Sequence, residues 1–175
     1  DESRKVIKEI EDLLEEWKRR SERMIRESEK LIEELRERVD KILEDIDRLI
    51  RTLDELRKAG VPREEIRKLA EEVRKRIEDL KREIKKLAED IKRTDEKLLK
   101  ESRDIVRKIE EIIRRKLSVE EEAKRLKDEL EEILKESEDL SRRTKKELED
   151  LLREVEKEIK KLEDKLKKLL DETDK

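Results

Sequence analysis

Apolar residues recur along this chain at alternating steps of three and four, the mark of one helix face. From Val6 the stripe runs through Ile10, Leu13, Trp17, Met24, Leu31, Leu35, Ile42, Ile46, Leu49 and Leu53. A longer spacing lies over the short one. Val6, Met24 and Ile42 are 18 residues apart, as are Leu13, Leu31 and Leu49, and Trp17, Leu35 and Leu53. Eighteen residues make five turns at 3.6 residues per turn, the pitch of an unstrained helix. A strict seven-residue repeat would impose a left-handed supercoil instead. The spacing therefore predicts nearly straight helices packed side by side. It continues in Leu69, Leu87 and Ile105, and again in Leu130, Leu148 and Leu166. This repeat lies within each helix and does not describe a solenoid of stacked units.

Two interruptions divide the stripe. Ala59-Gly60-Val61-Pro62 holds the one Gly and the one Pro of the 175 residues. Arg57 and Lys58 come just before it, as cations at the negative end of a helix dipole. Gly60 suits the left-handed cap position. Pro62 suits the first position of the next helix, where its missing N–H is no loss. The second break is Lys116-Leu117-Ser118-Val119-Glu120, where Ser118 and Glu121 have the spacing of a capping box. The predicted helices cover about 2–58, 62–116 and 119–171, with Glu172 to Lys175 fraying. The first would be ~85 Å long at 1.5 Å per residue. Short loops make consecutive helices antiparallel neighbours. The expected fold is all-α: an antiparallel, up-down-up three-helix bundle forming one domain over 1–175.

Composition narrows the function. Charged residues make up 61% of the chain, with 52 Lys+Arg against 55 Asp+Glu, so the net charge is only -3. The two signs are interleaved, whereas a nucleic-acid face would cluster basic charge. A chain so charged could be disordered, but strict apolar periodicity and scarce Gly and Pro argue against it. Cys and His are both absent. That excludes disulfides, thiol catalysis, the usual zinc sites and histidine acid–base chemistry. No apolar run nears the roughly 20 residues that span a bilayer. No signal peptide opens the chain, so a soluble, cytoplasmic-type protein is expected.

Eight polar residues break the inward stripe. Ser28 falls in the 18-residue phase of Ile10 and Ile46, and Ser21 in that of Val39. Asp95 takes the phase of Ile77 and Ile113, Ser102 that of Ile66 and Ile84, and Thr94 that of Ile112. Ser141 matches Ala123 and Ile159, Thr144 matches Leu126 and Leu162, and Ser137 matches Val119 and Val155. Counting from the loops puts Ser28, Thr94, Asp95, Ser141 and Thr144 at one level. Ser21, Ser102 and Ser137 fall at a second. A buried hydroxyl without a partner costs ~1–3 kcal/mol, and a lone buried carboxylate costs more. Clustered, the eight can satisfy one another and fix helix register. Three alternatives stay open. The short side chains could leave a ligand cavity walled by Trp17, Met24, Leu98, Leu99 and Leu140. The helices could turn enough to hydrate them, or the belt could be a weakened zone meant to open.

Catalytic chemistry finds no footing. Only Asp95 among the 55 acidic residues lies on the inward stripe, whereas paired-carboxylate catalysis needs two held in a cleft. No base stands ready beside a Ser. No Gly-rich loop exists to cradle phosphate, and Asp95 with hydroxyls alone would hold calcium weakly. No catalytic residue, metal site or cofactor is therefore expected, and no partner is required.

The whole chain resembles computationally designed, parametrically generated long three-helix bundles. The resemblance rests on the 18-residue repeat, the Ala-Gly-Val-Pro-Arg-Glu-Glu and Leu-Ser-Val-Glu-Glu loops, and the Glu/Lys/Arg-filled surface. Clustered core Ser, Thr and Asp also look like the buried hydrogen-bond networks of such designs. The resemblance implies a hyperstable protein made to fold, a monomer with self-association possible. Natural spectrin-type spacers also use three long helices, but they are shorter and richer in aromatics than this chain with its lone Trp17.

Overall fold

The computed structural model describes the backbone of residues 2–116 and 120–175 and the side chains of 4–116 and 121–175. Three α-helices account for nearly all of it: α1 (Glu2–Lys58), α2 (Arg63–Lys116) and α3 (Glu120–Thr173). No strand occurs among the described residues. Ser118 of the expected capping box lies outside them.

The turn after α1 is set by a Schellman cap. Gly60 has φ 89°, in the left-handed region. Its N–H donates to the Arg57 carbonyl at 3.1 Å, and the Val61 N–H reaches back to the Leu56 carbonyl at 3.1 Å. These are the two bonds that define the motif. An added Cβ at Gly60 would meet nothing within 4 Å, so a substitution there carries a conformational cost alone. Gly60→Ala should lower stability by roughly 1–2 kcal/mol, the left-handed penalty for an L-residue. A urea titration measures it as a shifted midpoint at constant slope.

Two helix ends differ from the expected bounds, the start of α2 and the end of α3. Pro62 caps α2 from outside and is not its first residue. Its carbonyl accepts from the Glu65 and Ile66 N–H groups at 3.1 and 3.2 Å, the role of a residue that is not itself helical. At the other end, the residues from Glu172 do not fray. Helix α3 runs on to Thr173, which is buried. The Thr173 hydroxyl donates to the Leu169 carbonyl at 2.8 Å. Glu172 pairs with Arg57 at 3.0 Å, and Asp174 pairs with Arg67. Tertiary partners hold a helix end that local propensity alone would let go.

The described chain divides into two compact units, and each helix gives a segment to both. Unit 1 comprises Asp1–Leu31 and Asp90–Glu147; unit 2 comprises Ile32–Glu89 and Leu148–Lys175. In unit 2, Arg67 and Lys81 of α2 pair with Asp174, just past the end of α3, and with Glu163 of α3, so numbering rises on one helix as it falls on the other. Asp47 and Arg57 of α1 pair with Lys165 and Glu172, so α1 and α3 run parallel there. These pairs give unit 2 its up-down-up arrangement. Its core is apolar, with Leu35, Ile46, Ile66, Ile77, Leu148 and Leu151 all nearly inaccessible.

Unit 1 is built differently. One cluster joins Val6, Ile10 and Leu14 of α1 to Val106, Ile109 and Ile113 of α2 and to Leu126 and Leu130 of α3. Trp17 is buried too. Ser28, Ser102 and Ser137 are buried within the same unit.

Candidate functional site

All eight polar stripe residues belong to unit 1. The helical phase explains their depth. Ser28 lies five turns from Ile10 and from Ile46, both of which are almost fully enclosed. Ser28, Ser102 and Ser137 are buried; Ser21, Thr94, Asp95, Ser141 and Thr144 are half-buried.

Two pairs form across α2 and α3. The Ser102 hydroxyl donates to the Leu98 carbonyl at 2.9 Å and lies 3.1 Å from the Ser137 hydroxyl. Ser102 is completely inaccessible to solvent. About two turns away on α2 and one turn away on α3, the Ser141 hydroxyl donates to Oδ2 of Asp95 at 2.6 Å, a short, charge-assisted bond. Burial pushes the Asp95 carboxyl above its ordinary pKa, the Ser141 bond draws it back, Glu96 raises it and Lys145 lowers it.

The other four residues do not join across helices. Thr94 donates to the Asp90 carbonyl at 3.1 Å and Ser21 to the Lys18 carbonyl at 2.9 Å, both within their own helices. No side-chain hydrogen bond reaches Ser28 or Thr144 from the described residues. The links observed therefore join α2 to α3, while the hydroxyls of α1 turn to their own backbone or stay unlinked.

One buried polar atom was not anticipated from the inward stripe. Oε2 of Glu101 is enclosed without a hydrogen-bond partner. Glu101 lies 18 residues from Glu83 on the same helix, and Glu83 is also half-buried. Glu83 pairs with Arg38 of α1. Charge-only inspection passes over Glu101, because Glu is the expected filler of a surface position.

Surface grooves open among the described residues. One lies along Asp47, Asp54, Lys165 and Lys168, one along Arg107, Arg114, Lys127 and Glu131, and one along Leu99, Lys100 and Arg103. Charged side chains line them, mostly of both signs, and none contains any of the eight polar residues. No cluster of three metal-ligating side chains occurs among the described residues. None of the described helices is long and apolar enough to cross a membrane.

No family model and no curated protein matches this chain. It is similar to a solved structure described as a "Computationally designed three helix bundle", at 20% identity, covering 98% of this chain and 86% of that one, with a TM-score of 0.46. The all-α three-helix class is defined by the helices and their pairings themselves.

Proposed function

We propose that this chain is a de novo designed helical scaffold with no natural biochemical activity, folding as one monomeric domain, in which a buried polar layer specifies helix register. The observation that carries the reading is the pair of hydroxyl links across α2 and α3, Ser102 to Ser137 and Ser141 to Asp95. A one-turn slip of either helix would break both and strand each group among apolar side chains, at ~1–3 kcal/mol per group. The composition supports the non-catalytic part of the reading. It offers no His or Cys, and the stripe presents no second carboxylate beside Asp95.

Asp95→Leu tests it. A half-buried carboxylate is a device of specificity more than of strength. The variant should stay helical and monomeric at neutral pH, with stability unchanged or raised. The sign of the pH response follows from the raised folded-state pKa. The folded chain then holds the Asp95 proton more tightly than the unfolded chain. Asp95 therefore favours folding at low pH, and that advantage is lost as pH rises through its folded-state pKa. The leucine variant should lack this component. Circular dichroism with light scattering reads the outcome; loss of helicity or a change of mass would count against the scaffold reading.

A further inference from the structure

The two units tie their helices together by different chemistry. In unit 2, five ion pairs bridge helices: Arg38–Glu83, Asp47–Lys165, Arg57–Glu172, Arg67–Asp174 and Lys81–Glu163. Every pair of helices in that unit is bridged. In unit 1, one interhelical ion pair occurs among the described residues, Lys116–Glu9 at 3.9 Å. Its other polar links are Ser102–Ser137, which carries no charge, and Ser141–Asp95. We propose that acidification shifts the balance of stability between the units, loosening unit 2 relative to unit 1, so that the chain carries a built-in proton-dependent weak point.

The physical reason is the opposite effect of a proton on each kind of link. Protonating Glu83, Asp47, Glu172, Asp174 or Glu163 removes the charge that its Lys or Arg partner is held by. The attraction shows on the acidic side at Asp54 of the same unit, whose carboxyl the Arg57 hydrogen bond holds below its ordinary pKa, with Lys58 adding to it. Stability of that kind is present at neutral pH and is lost as pH falls through the folded-state pKa. Exposed pairs are individually weak, but five on one unit act together.

In unit 1 a proton removes a charge that is poorly placed. Asp95 sits half-buried against Ser141. The charged groups around it are Glu96 on its own helix and Lys145 on α3. Counting along α1 and α2 from the Lys116–Glu9 pair of the same unit puts Glu29 and Lys30 of α1 near its level. Ser141 can accept a hydrogen bond from a protonated Asp95 as readily as it donates to the carboxylate. Glu101 keeps Oε2 enclosed with no partner. Counting from the same Lys116–Glu9 pair puts Arg23 of α1 near its level, and Lys97 and Asp104 flank it on α2.

Amide hydrogen exchange on the intact chain tests the proposal. Core amides of unit 2, such as Ile77 and Leu151, are compared with those of unit 1, such as Ile109 and Leu130. From about pH 7 to about pH 3, across the carboxylate range, the protection ratio of unit 2 to unit 1 should fall about tenfold, the combined effect of five weak pairs. The net positive charge that acid creates acts on both units and largely cancels in the ratio. The double variant Glu83→Gln with Glu163→Gln should start from a lower ratio at neutral pH and fall less. Added salt at neutral pH should lower the wild-type ratio in the same direction, since it screens exposed pairs. A ratio that holds constant on acidification, or rises, overturns the proposal, as does a ratio insensitive to both salt and the double variant.

Discussion

Ile109→Ala should lower the unfolding free energy by about 2–5 kcal/mol, the range for truncating a large aliphatic side chain in a packed core. Ile109 is completely inaccessible and sits where all three helices meet, against Ile10 and Leu14 of α1 and Leu126 and Leu130 of α3. Its loss removes buried apolar area and leaves a void that three long rods cannot easily collapse around, because each is pinned along its length. Urea denaturation followed by circular dichroism should show a lower midpoint and an unchanged slope. Ile109→Val keeps most of the volume and should cost only about 0.5–1.5 kcal/mol. Equal effects from the two would mean that Ile109 is not packed as described.

Ser102→Ala should cost about 1–3 kcal/mol, although the change in size is a single atom. Ser102 is fully enclosed, and its hydroxyl lies 3.1 Å from that of Ser137, which is also buried. Alanine leaves the Ser137 oxygen without that partner in an apolar setting. The double variant Ser102→Ala with Ser137→Ala removes both polar groups and should be closer to wild type than the two single losses added together. That non-additivity is the signature of a direct interaction. Strictly additive losses would separate the two hydroxyls energetically and leave Ser141–Asp95 as the one coupled pair of the polar layer between α2 and α3.

Much of this architecture is legible in the residues because helices of nearly equal length and a fixed repeat leave few alternatives. The single Gly and Pro fix one turn, and the 18-residue phase marks Ile10, Ile46, Ile66 and Ile109 as inward. The same phase marks Ser28 and Ser102, both of which are buried. Direction of side-chain bonding was not legible. Ser21 and Thr94 occupy inward phases, yet each hydroxyl turns to a carbonyl of its own helix. A Ser or Thr in a helix always has that local acceptor within reach, so a phase alone cannot say whether it will bond across. The end of α3 was misjudged for the converse reason. Glu172, Thr173 and Asp174 read as polar residues past the last Leu, but Thr173 lies 18 residues beyond Val155 and 36 beyond Ser137. The stripe therefore extends to it, and Arg57 and Arg67 supply the remote partners. Glu101 was passed over because one acidic residue among 55 gives no compositional sign of being enclosed.

Trp17 is the sole aromatic residue of the chain, and it is buried in unit 1. Near-ultraviolet emission is thus a single-chromophore gauge of one half of the molecule, blind to the other. Backbone ellipticity averages over both halves. Superposing the two melting curves would expose any uncoupling of the halves without a label or a second optical probe.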